Sequence, residues 1–240
     1  MKKVCYNEFM KKFYARKQEN DFIFEGDELL HFNVLRCSVG EKVLCLYEDG
    51  FDYLCEVTNI SKKQAVAKIL EKVQNTKNPK VNITIFQALI KGEKLDLIVQ
   101  KLTELGISTL QLFESEFAVA KANNNKQERL NKITMEACKQ CGRGIPLKIN
   151  NTIKFKDVLD KLNNYDTILF ANEKVPTREK ININGNNIAI IVGSEGGFSD
   201  EEINMIMEHN ITTFGLGSRI LRAETACIVS AGIIGYMVGV

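Results

Sequence analysis

Apolar positions change their spacing near residue 80. Before it they fall in short branched runs: Lys42-Val-Leu-Cys-Leu-Tyr47, Tyr53-Leu-Cys-Glu-Val57 and Gln64-Ala-Val-Ala-Lys-Ile69. Turn chemistry at Glu48-Asp49-Gly50 and at Asn59 separates these runs. The pattern predicts several short strands that close a small barrel. Glu71 to Lys80, with Asn75-Thr-Lys-Asn-Pro79, is polar and rich in breakers. It marks a boundary between a first domain over 1–72 and a second over 80–240.

Beyond that boundary, runs with strand and helix spacing alternate. Val81 to Leu89 reads as a strand. Glu93 to Leu105 carries Leu95, Ile98, Val99, Leu102 and Leu105 at helical spacing, with Gly106 as its stop. Ile107–Phe113 is a strand, Lys126–Cys141 a helix, Val158–Leu162 a short helix and Asp166–Ala171 a strand. Two further strands, Ile188–Val192 and Ile211–Phe214, each end in a glycine-bearing segment that leads into a helix. Such alternation predicts a parallel sheet with helices on both faces, and ligands in these sheets sit beyond the carboxyl ends of the strands. Ala231, Gly235 and Gly239 recur every fourth residue in the last helix, Glu224 to Val240. This smooth stripe suits close packing on a second copy of the chain or on its own sheet.

Composition narrows the class without naming it. Apolar residues make up 45% and charged residues 26% of the 240, as in ordinary globular proteins. A net charge of +2 does not announce a nucleic-acid protein. Between Lys121 and Lys161, however, ten basic residues face four acidic ones, which is either a phosphate-holding patch or a solvated helix face. Seven cysteines are scattered without a framework, and the N-terminus is charged, so reduced thiols in a cytoplasmic protein are expected. Cys138-Lys-Gln-Cys141 lacks a second pair, so no metal is expected. Thr225 to Val240 is uncharged but shorter than a membrane span, and no membrane association is expected.

Candidate chemistry lies in the two glycine-bearing strand ends. In Val192-Gly-Ser-Glu-Gly-Gly-Phe-Ser199 the glycines let backbone donors and acceptors approach a ligand, and Ser199 with Glu202 forms a capping box. A plain strand–turn–helix connection would use the same residues. Neither phosphate-loop motif, Gly-x-x-x-x-Gly-Lys-Ser/Thr nor Gly-x-Gly-x-x-Gly, is present. In Leu216-Gly-Ser-Arg-Ile-Leu-Arg-Ala-Glu-Thr-Ala226, two arginines and a glutamate interrupt an apolar passage. Charge in such a setting is costly unless paired or used. An Arg222–Glu224 pair, or a cap by Glu224 or Thr225, is the structural alternative to a site.

These two segments resemble the cofactor loops of the ribosomal RNA small-subunit methyltransferase E family of the SPOUT superfamily. The resemblance extends to Lys91-Gly-Glu-Lys through Glu104-Leu-Gly106, to Glu136-Ala-Cys-Lys-Gln-Cys-Gly-Arg143 with Pro146, and to His31-Phe-Asn-Val-Leu-Arg36 with Gly40. It implies an α/β protein with an N-terminal PUA-like RNA-binding β-barrel. A SPOUT-type parallel α/β domain with a C-terminal trefoil knot would follow. It also implies a homodimer that uses S-adenosylmethionine, without metal, to methylate N3 of a decoding-region uridine in 16S rRNA of the small ribosomal subunit. A ribose 2′-oxygen target and a catalytically silent RNA-binding factor are the alternatives. Carried onto this chain, the cofactor pocket comprises Leu169, Phe170, Ala171, Gly193, Glu195, Gly196, Gly197, Leu216, Gly217, Ile220, Leu221, Arg222 and Thr225. Arg222 would stabilise the uridine anion, and Glu195 or Glu224 would take the proton. Lys12, His31, Arg36 and Arg143 are candidates for phosphate contacts. Three departures stand out. Ser194 replaces the proline of the family's glycine loop, Glu116-Phe-Ala118 replaces its Glu-Arg-Ser, and residues 1–9 precede its usual start.

Overall fold

The computed structural model describes residues 10–120, 127–175 and 181–239. The chain divides into two compact units: Met1–Asn78 with Cys138–Pro146, and Pro79–Ala137 with Leu147–Val240.

In the first unit the strands are β1 (Lys12–Tyr14), β2 (Arg16–Gln18), β3 (Asp21–Phe24), β4 (Lys42–Leu46), β5 (Phe51–Ile60) and β6 (Ala65–Gln74), with helix α1 (Gly26–Val34) after β3. They form one sheet in the order β1-β4-β5-β6-β3-β2. Its edge strands β1 and β2 are separated in sequence by Ala15 alone. A flat six-stranded sheet would hold its edges roughly 24 Å apart, whereas one linking residue spans about 7 Å. The sheet must therefore curl on itself, which is the PUA-like shape the sequence implied. Aromatic rings fill the curl: Phe13, Phe24 and Phe32 stand 4.9–5.3 Å apart, and Phe22 packs 5.2 Å from Tyr53. Strands β1 to β3 and helix α1 were not legible as elements, because β1 and β2 have three residues each and three residues show no period. The polar stretch from Glu71 is strand as far as Gln74.

Cys138–Pro146 packs into this unit through hydrogen bonds to its backbone. Asn75 Nδ2 donates to the Gly142 carbonyl at 2.9 Å, and Asn78 Oδ1 accepts from the Gly144 and Ile145 amides at 2.9 and 2.8 Å. The Tyr14 hydroxyl donates to the Gly144 carbonyl. Lys139 Nζ lies 2.8 Å from Glu28.

The second unit contains β7 (Asn82–Ala88), α2 (Gly92–Glu104), β8 (Thr109–Glu114), most of α3 (Gln127–Cys141), β9 (Lys148–Lys154), α4 (Phe155–Leu162), β10 (Thr167–Ala171), β11 (Asn187–Val192), α5 (Asp200–Met207), β12 (Thr212–Phe214) and α6 (Ala223–Val238). Its six strands are all parallel, in the order β12-β10-β11-β7-β8-β9. Successive side chains point to opposite faces. Ile83, Ile85, Ile188 and Ile190 join the core against α2 and α6, while Phe86, Ala189 and Ile191 join the one against α4 and α5. Strand β9, Lys148-Ile-Asn-Asn-Thr-Ile-Lys154, escaped the sequence reading because an edge strand can afford two asparagines that depress strand propensity.

One expectation needs correction. The stripe of Ala231 and Gly235 does not form a free face: Ala231 is fully buried, and a Cβ on Gly235 would stand 3.7 Å from the Leu105 carbonyl oxygen at the end of α2. The small residues let α6 approach its own unit. The exposed side of α6 carries Ile233, Tyr236 and Met237 instead. Among the described residues no helix is long and apolar enough to cross a membrane.

Candidate functional site

From β7 the parallel sheet grows outward through β8 and β9, and on the other side of β7 lie β11, β10 and β12. Strand order thus reverses between β7 and β11, and connections leaving the carboxyl ends there diverge to leave a crevice. A cavity of about 350 Å³ occupies that position. Its wall is built from Ala171, Asn172 and Glu173 after β10, Val192 to Glu195 with Gly197 and Phe198 after β11, and Leu216, Gly217 and Arg219 to Ala223 after β12. Lys94 of α2 and Ala226 of α6 complete it.

The β11 loop is tightly specified. Buried Gln87 donates to the Gly193 carbonyl at 2.8 Å. A Cβ on Gly193 would stand 2.9 Å from the Phe198 ring, so the ring's packing requires glycine there. Ser194 and Gly197 pair across the turn, and Gly197 has φ of +70°, a conformation that favours glycine. The capping box forms as expected: Ser199 Oγ accepts from the Glu202 amide at 3.2 Å, and Glu202 Oε2 accepts from the Ser199 amide at 3.1 Å. Glu202 Oε1 also accepts from the Glu116 amide at 2.9 Å, tying down the segment after β8.

Charged groups meet at the rim. Lys94 Nζ lies 2.8 Å from Glu195 Oε1 and 3.9 Å from Glu224 Oε2. Burial alone would raise the Glu195 carboxyl, but the Lys94 ammonium and backbone N–H donors, that of Lys91 included, hold it below the usual carboxylate range. Arg222 is the N-cap of α6, and its side chain is exposed at the cavity wall with no carboxylate within 4 Å among the described residues. The Arg222–Glu224 pair of the structural alternative does not form; Glu224 Oε2 lies 3.9 Å from Lys94 instead, without a hydrogen bond to it. No side-chain cap forms at the start of α6 either.

Nine of the expected cofactor residues line the cavity: Ala171, Gly193, Glu195, Gly197, Leu216, Gly217, Ile220, Leu221 and Arg222. Four do not. Leu169 and Phe170 are mid-strand and buried in the two cores, so they support the wall from behind. Gly196 faces Phe117, whose Cβ would stand 2.7 Å from a Cβ placed there. Thr225 is exposed on α6 away from the wall. Lys94, Phe198 and Arg219 are among the wall residues outside that expected set, Phe198 and Arg219 within the two quoted loops and Lys94 far from them in sequence. Lys94 did leave a signal: a lysine in the first turn of a helix opposes the helix dipole and calls for an anionic partner.

Of the expected RNA contacts, Arg36 is exposed just past α1, with φ of +50°. Lys12 is half-buried on β1. His31 is half-buried too, its ring 5.4 Å from Phe13 and its Nδ1 3.7 Å from Glu28. Arg143 is a correction. It is 1% exposed, its Nε donates to the Ile145 carbonyl at 2.5 Å, and burial lowers its pKa. It braces the turn after α3 and does not present its charge to solvent. Within the basic stretch, 121–126 lie outside the described residues, Arg129 pairs with Asp96 at 2.9 Å, and Lys148, Lys154, Lys156 and Lys161 are exposed. Among the described residues no cluster of three metal-ligating side chains occurs, and neither Cys138 nor Cys141 is in a disulfide.

Comparison with known proteins agrees with this geometry. Residues 76–235 match the model of an RNA methyltransferase domain, and residues 24–70 that of an RNA methyltransferase PUA domain. Ribosomal RNA small subunit methyltransferase E of Bacillus subtilis is 30% identical, covering 90% of each chain. The enzyme of the same name from Mesomycoplasma hyopneumoniae is 32% identical, covering 90% of this chain and 94% of its own. The crystal structure of the Neisseria gonorrhoeae protein of that name, bound to S-adenosylmethionine, superposes with a TM-score of 0.86 at 26% identity, over 95% of this chain and 98% of that one. The chain belongs to the ribosomal RNA small subunit methyltransferase E family.

Proposed function

We propose that the chain transfers a methyl group from S-adenosylmethionine to N3 of a decoding-region uridine in 16S rRNA of the small ribosomal subunit. The observation that carries this reading is the cavity at the switch point of the parallel sheet, walled by two glycine-bearing strand ends and faced by Arg222. Its size suits a small-molecule site. Val192, Leu216, Leu221, Ala223 and Ala226 offer apolar contact for a flat base, and the glycine loops offer backbone donors and acceptors.

S-adenosylmethionine supplies an electrophilic methyl group when bound. Uridine N3 carries a proton at neutral pH and is a poor nucleophile until that proton leaves. Arg222, free of carboxylate partners among the described residues, stabilises the charge that spreads onto the carbonyl oxygens of the base. Of the two candidate proton acceptors, only Glu195 lines the cavity, and its depressed pKa makes it a weak base. Stabilisation of the anion by Arg222 is therefore the larger contribution. Holding base and methyl group together removes the entropic part of the barrier. N3 lies on the pairing edge, so the uridine must be unpaired when it reacts.

The rest of the reading follows from this substrate. The first domain, 1–72, binds RNA through its curled sheet, with Arg36 on phosphate and Lys12 and His31 beside it, and 80–240 is the methyltransferase domain. The trefoil knot belongs here as well: β11 sits between β10 and β7 while β12 lies outside β10, as expected of a chain threaded back through its own path. Two copies pair through the exposed apolar side of α6, where Tyr236 is 89% exposed, and through Ile220, 88% exposed. A ribosomal substrate places the enzyme in the cytoplasm.

Small-subunit particles from a strain lacking the protein, incubated with it and S-adenosylmethionine, test the reading. Mass spectrometry of nuclease digests should find 3-methyluridine. A methyl group on ribose would establish the 2′-oxygen alternative, and no incorporation would leave only a binding role.

A further inference from the structure

Glu195 and Glu224 share one lysine but differ as partners for it. Lys94 donates a hydrogen bond to Glu195 at 2.8 Å, and Glu195 also draws on the Lys91 backbone N–H at the favourable positive end of α2. Glu224 Oε2, 3.9 Å from the same ammonium, is buried without a hydrogen-bond donor among the described residues. A carboxylate oxygen kept from water and from donors is costly, so any approach of Lys94 toward it is favourable. Lys94 and Glu195 line the cavity, and Glu224 does not. One ammonium thus has an occupied position on the wall, 2.8 Å from Glu195, and an unsatisfied carboxylate oxygen behind it, 3.9 Å away.

We propose that Lys94 is a stand-in cation: it neutralises Glu195 until a positively charged cofactor enters, then yields Glu195 and moves to Glu224. The inference rests on the reading of the cavity as the S-adenosylmethionine site. The donor carries a sulfonium, an ammonium and a carboxylate, whereas its demethylated product, S-adenosylhomocysteine, has lost the sulfonium charge. A ligand with the extra positive charge displaces Lys94 from Glu195 more readily. Lys94 thereby sets how strongly the site distinguishes donor from product, which makes it a specificity-determining residue that does not touch the reacting atoms.

Calorimetric titration of the wild type, Lys94→Met, Glu195→Gln and Glu224→Gln with S-adenosylmethionine and with S-adenosylhomocysteine tests this. The readout is the ratio of product Kd to donor Kd. Removing the competing cation in Lys94→Met should raise the ratio roughly threefold or more, the scale of one partly screened charge across a cleft. Glu195→Gln removes the charge that the donor seeks, and Glu224→Gln removes the position to which Lys94 moves. Both should lower the ratio. Equal weakening of both ligands in Lys94→Met overturns the proposal and assigns the lysine to the carboxylate they share. An unchanged ratio in the two near-isosteric glutamine variants overturns it as well, even if Lys94→Met fails to fold. A wild type that binds neither ligand overturns the site reading itself, and the inference with it.

Discussion

The Cys138–Pro146 segment of the first unit and the cavity of the second each hold an arginine that looked functional in the sequence, and they treat it in opposite ways. Arg143 is buried, donates to the Ile145 carbonyl, and is flanked by backbone groups that Asn75, Asn78 and Tyr14 already satisfy. Arg222 caps a helix with its side chain toward a cavity and, among the described residues, no carboxylate beside it. A guanidinium buried against its own chain, its Nε bonded to a backbone carbonyl, is architectural, because it has no exposed face to offer a phosphate. One left without a counter-charge at a concave wall still has its interactions to give. Burial and partnering, which sequence does not display, separate the two roles.

Arg222→Ala should break the comparison most visibly. Turnover should fall roughly 10²- to 10³-fold, far more than RNA or cofactor binding weakens and with thermal stability nearly unchanged, because a charge that acts on the uridine anion is needed in the transition state. Single-turnover methylation beside a cofactor titration measures both, and a normal rate would make Arg222 merely structural. Arg143→Ala should do the reverse. Losing a buried, hydrogen-bonded side chain should lower stability by about 2–4 kcal/mol in urea unfolding, with RNA affinity of the folded fraction intact. Lysine should rescue it poorly, since it lacks the planar fork. An Arg143→Ala protein of full stability with weakened RNA binding would restore the phosphate role.

Gly196→Val sharpens the boundary of the cavity. Its Cβ would meet Phe117 at 2.7 Å, so the cost should be about 1–3 kcal/mol of stability from overpacking. Cofactor affinity should change only slightly; complete loss of binding with an unaltered melting temperature would put Gly196 back on the wall. Arg36→Ala should leave stability within about 0.5 kcal/mol and weaken RNA binding, lowering the slope of log affinity against log salt by about one. The smallest effect concerns Glu195. Its folded-state pKa is lowered, so its stabilising contribution is present above the unfolded value near 4.5 and is lost as pH falls through the folded one. Glu195→Gln should lower stability slightly in the neutral region, where the wild-type contribution is present, and leave the acid end, where it is already lost, unchanged, so the acid limb flattens.

How far the site was legible follows from the kind of signal each residue leaves. Glycines at 193 and 197 announce themselves, because a turn that places backbone against a ligand excludes side chains. The capping box of Ser199 and Glu202 is equally local, and it formed as read. Lys94 stands 101 positions from Glu195 along the chain, so only the parallel pairing of β7 with β11 brings the two to one wall. Leu169 and Phe170 were placed too deep for a related reason. A strand's carboxyl end is a boundary in space, and the apolar run through Thr167-Ile-Leu-Phe-Ala171 does not mark where the core stops.

By itself the sequence determined what local periodicity and backbone chemistry can carry. That includes five of the six parallel strands of the second unit, most of its helices, the glycine-bearing loops and, through their likeness to a family, the class of reaction. Tertiary structure alone decided where charge would be spent. It buried Arg143, left Arg222 facing a cavity, gave Glu224 to Lys94 instead of to Arg222, and turned the small residues of α6 inward. The physical reason is range. Propensity and turn chemistry act over a few neighbouring residues, whereas desolvation and ion pairing depend on atoms that only the folded chain brings within about 4 Å.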